Sequence, residues 1–198
     1  MEGHLKTSKK SLLDTYDTQL INLSKSLSHV RIDFVDRFIP FLSTNEGLIV
    51  FERETCSMTY QSQVLADDFE HSFLESRKKD VLTQRTNIGS HKDDYSFLMD
   101  GQPLKKFGSQ GQQKSFLIAL RLSQYDYLAK MTQKKPMLLL DDIFDKLDDE
   151  RVERLTALLT DSARFGQVFI TDARKERTSL LVKDKYNCLL YKSPSPRD

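Results

Sequence analysis

Cysteine is nearly absent from this chain of 198 residues, which has only Cys56 and Cys188. Two thiols make no disulfide framework, and so few fit a reducing compartment. Glycine (7) and proline (5) are scarce as well, which excludes collagen-like and low-complexity classes. No apolar run approaches a membrane span, and no signal-peptide pattern opens the chain. The sequence therefore reads as a soluble protein of the cell interior. An excess of one charge is also missing: 30 basic side chains stand against 29 acidic ones, for a net charge of +1. A globally basic nucleic-acid binder is not indicated, so any such contact must come from local patches. What is present suits a globular fold, since 38% of residues are hydrophobic and 10% aromatic. A chain this long can bury roughly 70% of its unfolded surface and needs no staples to fold.

Leu13, Tyr16, Leu20, Leu23, Leu27, Val30 and Phe34 recur at alternating spacings of three and four, the heptad pattern of one long helix. Ser11 and Asp14 suit its start, and Pro40, Ser43, Asn45 and Gly47 mark its end. The stripe fits either a projecting coiled-coil arm or a core helix in a helical lobe. The apolar continuation at Phe38, Phe41 and Leu42 favours the core helix. Residues 48–52 and 56–60 read as two short strands that a polar connection turns into a hairpin. A helix begins at Asp67 or Asp68, a strand covers 95–99 and closes at Asp100-Gly101, and a further helix covers 111–131. Residues 137–140 form an unbroken apolar strand, as expected for a strand buried on both faces. A helix over 149–163 and a strand over 167–171 complete a βαβ unit, so the second half is α/β with parallel strands.

The chemistry is concentrated at the end of the apolar strand, where Asp141 and Asp142 follow Leu140. Ligands gather at the carboxyl ends of parallel strands in open α/β sheets. Two carboxylates there suit a magnesium ion near phosphate oxygens and a group that orients or deprotonates water. The plainer reading is an acidic loop that caps the next helix. Upstream, Gly108-Ser109-Gln110-Gly111-Gln112-Gln113-Lys114-Ser115 imitates a P-loop but has Gln113 where the second glycine is required. The preceding Pro103-Leu104-Lys105-Lys106-Phe107 is a poor buried strand, so the P-loop reading fails. A polar segment opening a helix remains, where free N–H groups favour an anion.

A Ser-x-Gly-Gln segment at a helix start, then an apolar strand ending in paired acids, is the motif order of ABC-type ATPases. Phe144-Asp145-Lys146-Leu147-Asp148 then looks like the D-loop, and Gln167-Val168-Phe169-Ile170-Thr171 like the strand leading to the switch position. With Gly89-Ser90-His91-Lys92-Asp93-Asp94, these segments resemble the RecF family of bacterial recombination mediators. The resemblance runs from about Leu12 to Tyr191.

The resemblance implies an α/β fold: the C-terminal part of an ABC ATPase-like head with parallel strands, plus a helical lobe containing the long helix. It divides the chain into a lobe (1–88), a head portion (89–192) and a disordered tail (193–198). It assigns Asp142 as catalytic base and Asp141 to Mg²⁺. Ser109, Gln110, Gly111 and Gln112 become the signature touching ATP on a partner subunit, Asp148 lies in the D-loop, and Thr171 takes the switch position in place of histidine. DNA contact is implied by the resemblance; the sequence offers Lys105, Lys106, Arg174 and Lys175 for it, with Lys6, Lys9 and Lys10 and Arg77-Lys78-Lys79 as further clusters, and a solvated surface is the plainer reading of each. No G-x-x-x-x-G-K-S/T occurs in the chain, so the Walker A half of the family has no counterpart here. ATP and Mg²⁺ are thus expected only in the context of a complete protein, as an ATPase half-site. The implied setting is cytoplasmic and nucleoid-associated DNA repair, replication, recombination and the SOS response. The implied partners are duplex DNA, gapped junctions, RecR, RecO, the recombinase and a second copy when ATP is bound. The competing readings are another SMC- or ABC-type head and a non-catalytic interaction module.

Overall fold

In a computed structural model, residues 2–49 and 55–172 are described. They fall into two compact units, residues 2–40 with 55–107 and residues 41–49 with 108–172.

Helix α1 (Glu2–Ile49) contributes to both. It begins before Ser11 and runs through Pro40 and Gly47, so neither predicted end holds. Proline inside a helix removes a donor and costs about 3 kcal/mol. Tertiary contacts override that preference: in the second unit Leu42 and Asn45 are buried, and the Asn45 amide donates to Asp126 Oδ2 at 2.8 Å. Residues 48 and 49 are therefore helical rather than a strand, and residues 50–54 lie outside the described set. The heptad stripe also turns out differently. Leu13, Tyr16, Leu20, Leu23, Leu27 and Val30 are exposed, Leu23 at 67%. Buried instead are Ile21, Ser24, Ser28, Val35 and Phe38, a second stripe at the same spacing. Its serines disguised it, because small polar residues let neighbouring segments approach without adding hydrophobicity.

The first unit holds an antiparallel sheet in the order β1 (Cys56–Gln61), β2 (Asp94–Met99), β3 (Gln102–Pro103). β1 pairs with β2, from Cys56 opposite Met99 to Gln61 opposite Asp94; of the expected hairpin partner 48–52, residues 48 and 49 are helical and 50–52 lie outside the described residues. Asp100 and Gly101 both have positive φ (50° and 75°), the backbone that a two-residue β2–β3 turn demands. Helix α2 (Phe69–Thr83) packs Phe69 and Phe73 with Ile21 and Val64. Its Arg77 pairs with Asp14 and Asp17, so the first basic cluster is partly neutralised within the unit. A short helix, α3 (Leu104–Phe107), ends this unit.

The second unit is built on the βαβ order read from the sequence. Helix α4 (Gln110–Thr132), strand β4 (Leu138–Asp141), helix α5 (Asp149–Leu159) and strand β5 (Val168–Thr171) follow in turn. β4 and β5 are parallel, with Leu138 opposite Val168 and Asp141 opposite Thr171. Leu122 and Leu155, fully buried, meet Leu138 and Leu140 in one core with Ile143, Phe144 and Leu147. β4 is buried on one face only among the described residues: Leu139 is 73% exposed. An uninterrupted run of leucines hides this alternation.

Candidate nucleotide site at the end of the parallel strands

The acidic loop after β4 is folded by its apolar residues. Ile143, Phe144 and Leu147 insert into the core and leave Asp142, Asp145 and Lys146 to turn the chain. Asp142 and Lys146 both adopt left-handed φ (47° and 61°), an unusual backbone that Asp tolerates better than most residues. Three contacts hold the loop. Asp142 N–H donates to the Thr171 carbonyl at 3.1 Å, and the Thr171 hydroxyl donates to Asp141. Lys114 Nζ, from α4, donates to the Asp142 carbonyl at 3.1 Å. The carboxylate of Asp142 is exposed and takes no hydrogen bond among the described residues.

Helix α4 starts beside this loop. Ser109 and Gln112 form a reciprocal capping box: Gln112 N–H donates to Ser109 Oγ (3.2 Å), and Ser109 N–H donates to Gln112 Oε1 (2.7 Å). The box leaves the N–H groups of Gln110 and Gly111 without a partner among the described residues, at the positive end of the helix dipole. A side chain at Gly111 would sit 3.7 Å from the Lys146 carbonyl and 3.7 Å from Arg151 Nη1, which places this helix start directly against the loop between β4 and α5. Helix α3, not a strand, precedes it, which agrees with rejecting a P-loop. Replacing Ser109 with Ala should lower stability by about 1 kcal/mol, since an N-cap is lost. Urea denaturation reads this directly, and Ser109→Asp should retain most of it.

Asp148 caps α5, accepting from Arg151 N–H at 2.9 Å and pairing with the Arg151 guanidinium. Burial works against its charge, but the Arg151 hydrogen bonds and charge prevail and hold the carboxyl below its usual range. The structure thus brings Ser109–Gln112, Asp141, Asp142, Asp148 and Thr171 into one unit. Lys114 and Arg151, which brace the loop and the cap, were not singled out as site residues in the sequence. The acid three residues before Arg151, at a helix start, is the signal that points to it.

The remaining expected residues lie elsewhere. Lys105 and Lys106 are exposed on α3 in the first unit, with Lys106 Nζ 5.0 Å from the Phe107 ring centre. Arg174, Lys175, Cys188 and the tail 193–198 lie outside the described residues. His91 bonds the Thr86 carbonyl through Nε2 at 2.8 Å, a local role. Among the described residues no group of three or more His, Cys, Asp or Glu is placed to hold a metal ion. A single exposed carboxylate still fits Mg²⁺, which keeps waters and takes its other ligands from phosphates.

No family model matches this chain. Curated relatives do. The DNA replication and repair protein RecF of Cytophaga hutchinsonii is 44% identical over 169 residues, 85% of this chain and 45% of that protein. RecF of Flavobacterium johnsoniae is 43% identical over 174 residues, 88% of this chain and 48% of that protein. Over its matched residues, the chain is homologous to these RecF proteins.

It spans about half the length of the curated relatives it matches. A solved structure of the recombination mediator protein RecF-ATPrS in the RecFOR pathway superposes with a TM-score of 0.68 at 23% identity. That match covers 84% of this chain and 46% of the solved one. The fold is therefore the ABC ATPase-like α/β fold of RecF, with parallel strands as the motif order predicts. Among the described residues no helix is long and apolar enough to cross a membrane.

Proposed function

We propose that this chain supplies the signature and Walker B portion of a RecF-type ATPase acting in DNA replication and repair. The supporting observation is the adjacency of Gly111, Lys146 and Arg151, with Asp142 tied to both α4 and β5. In this reading, bound ATP and Mg²⁺ supply the reactive phosphoryl group and neutralise its charge. Asp141, oriented by the Thr171 hydroxyl, is the metal-side carboxylate. Asp142, whose carboxylate takes no hydrogen bond among the described residues, orients an attacking water and takes its proton. Gln110 and Gly111 offer N–H groups to an anion on a partner subunit, while Ser109 and Gln112 hold the helix end in shape. Lys105 and Lys106, with Arg174 and Lys175, are the proposed contacts to duplex backbone, so DNA affinity should fall steeply with salt. Clamping of gapped DNA by an ATP-bound dimer, in concert with RecR, RecO and a recombinase, belongs to the same proposal, as does a nucleoid location in the cytoplasm.

The test is complementation. The chain by itself should bind Mg-ATP more weakly than about 10 μM, where 1 μM corresponds to about −8.2 kcal/mol. Co-expression with the part of a RecF relative that this chain does not match should restore DNA-stimulated phosphate release. Turnover by the chain alone, or none from the purified assembly, would contradict the proposal. The second outcome would favour a non-catalytic module.

A further inference from the structure

Two residues of the loop between β4 and α5 hold a left-handed backbone, Asp142 at φ 47° and Lys146 at φ 61°. Both of their carbonyls face the start of α4. Lys114 Nζ donates to the Asp142 carbonyl at 3.1 Å, and a side chain at Gly111 would stand 3.7 Å from the Lys146 carbonyl. Gly111 and Lys114 are three residues apart and so share one face of the helix. The first two turns of α4 therefore seat against the two loop positions where the backbone is least favourable.

Lys114 is half-buried, and the strand end and loop beside it carry three carboxylates, Asp141, Asp142 and Asp145. It pairs with none of them. Among the described residues its partner is the Asp142 carbonyl. A cation bound to the main chain fixes the peptide between Asp142 and Ile143 and leaves the Asp142 carboxylate its charge. From the other side, Asp142 N–H is held by the Thr171 carbonyl at 3.1 Å and by Thr171 Oγ1 at 3.3 Å. With the N–H and the carbonyl of one residue both held, its φ and ψ are set, and with them the direction of its side chain. At positive φ this restraint matters, because an aspartate left to itself returns to the right-handed or extended regions. The carboxylate would then point elsewhere.

We propose that Lys114 is the positioning residue for Asp142: its bond to the carbonyl holds the left-handed backbone that aims the carboxylate. The aim of Asp142 thereby depends on the seating of α4, whose first turn carries the Ser109–Gln112 segment. The proposal rests on the ATPase reading and adds to it the side chain through which that segment reaches the base.

The first measurement needs no nucleotide. In the full chain alone, Lys114→Gln should speed amide exchange at Asp142 by about tenfold relative to Leu138, whose N–H bonds the Gln167 carbonyl at 3.0 Å at the far end of β4. Lys114→Arg, which still donates to a carbonyl, should keep that ratio within about twofold. Lys114→Met, equally long and uncharged, stands in if the glutamine variant does not fold. The second measurement uses the complemented assembly. Lys114→Gln should lower kcat by about tenfold or more with KM unchanged, and Lys114→Arg should restore most of it. Combining Lys114→Gln with Asp142→Asn should be no slower than Asp142→Asn alone, since no carboxylate is left to aim. Three results would overturn the proposal: equal acceleration of exchange at Asp142 and Leu138, unchanged kcat in Lys114→Gln, or losses that multiply in the double variant. Each leaves the ATPase reading standing while the unsubstituted assembly turns over. An inactive unsubstituted assembly would overturn that reading and this proposal with it.

Discussion

Replacing Asp93 with Ala should destabilise the first unit by about 3 kcal/mol, at the lower end of what removing one partner of a buried ion pair costs. Its side chain is only 3% exposed. One carboxylate oxygen accepts from Arg31 Nη1 at 2.5 Å and from the Tyr60 hydroxyl, the other from Ser62 Oγ at 2.5 Å. Truncation removes the acceptor that three donors from three different segments share, and the guanidinium loses its counter-charge, although Arg31 keeps the Ser90 carbonyl and Tyr60 keeps Ser28 Oγ. Arg31 is 30% exposed, so water relieves part of that loss and keeps the estimate low. In a protein of this size the melting temperature should drop by roughly 6–12 °C. The neighbouring Asp94 is the control. It is exposed, and its carboxylate accepts the Tyr95 N–H at 2.8 Å, so Asp94→Ala should cost about 0.5 kcal/mol or less. Equal shifts for the two variants in calorimetry would show that the Asp93 network does not hold the unit together.

Asp142→Asn should reduce ATP turnover of the complemented assembly by about 10²–10⁴-fold, the usual contribution of a general base. The substitution is clean for a structural reason. Asn tolerates the left-handed backbone at least as well as Asp, and the contacts of residue 142 to Thr171 and Lys114 are all made by its main chain. Stability should therefore stay within about 0.5 kcal/mol. Nucleotide affinity should persist while phosphate release is lost, so that ATP is trapped. Single-turnover phosphate release with bound-nucleotide analysis separates these quantities. Unchanged turnover would remove Asp142 from the base role; loss of nucleotide binding would make it a binding residue instead.

The Gly89 to Asp94 element shows how a motif can be legible while its work is not. His91 with two following aspartates invites a metal or catalytic reading. In the fold the three diverge: His91 meets a carbonyl, Asp93 ties α1 to β1 and the segment after it, and Asp94 caps its neighbour. Gly89 is needed for its backbone, at φ +137°, where a side chain would be strained and would meet the His91 ring at 3.4 Å. Nothing in the spacing distinguishes Asp93 from Asp94, because burial decides between them.

Local chemistry was enough for the second unit. The polar segment that opens α4, the apolar strand and the start of the helix after the paired acids are short-range signals, and each reappears within a residue or two of its expected place. Parallel pairing followed from the strand–helix–strand order alone. Side-chain direction over longer distances was not available from sequence. Two stripes of equal spacing share α1, and the more hydrophobic one is exposed, because the buried stripe is completed by serines whose neighbours come from distant segments. Pro40 and Gly47 signal a stop that the buried Leu42 and the Asn45–Asp126 contact overrule. The sequence by itself determined the motifs, their order and the family, since these rest on residue identity at fixed short spacing. Only the tertiary structure decided which helix face is buried, which aspartate is an anchor and which face of β4 is exposed among the described residues. Those outcomes depend on free energies of burial and pairing summed over residues far apart in the chain.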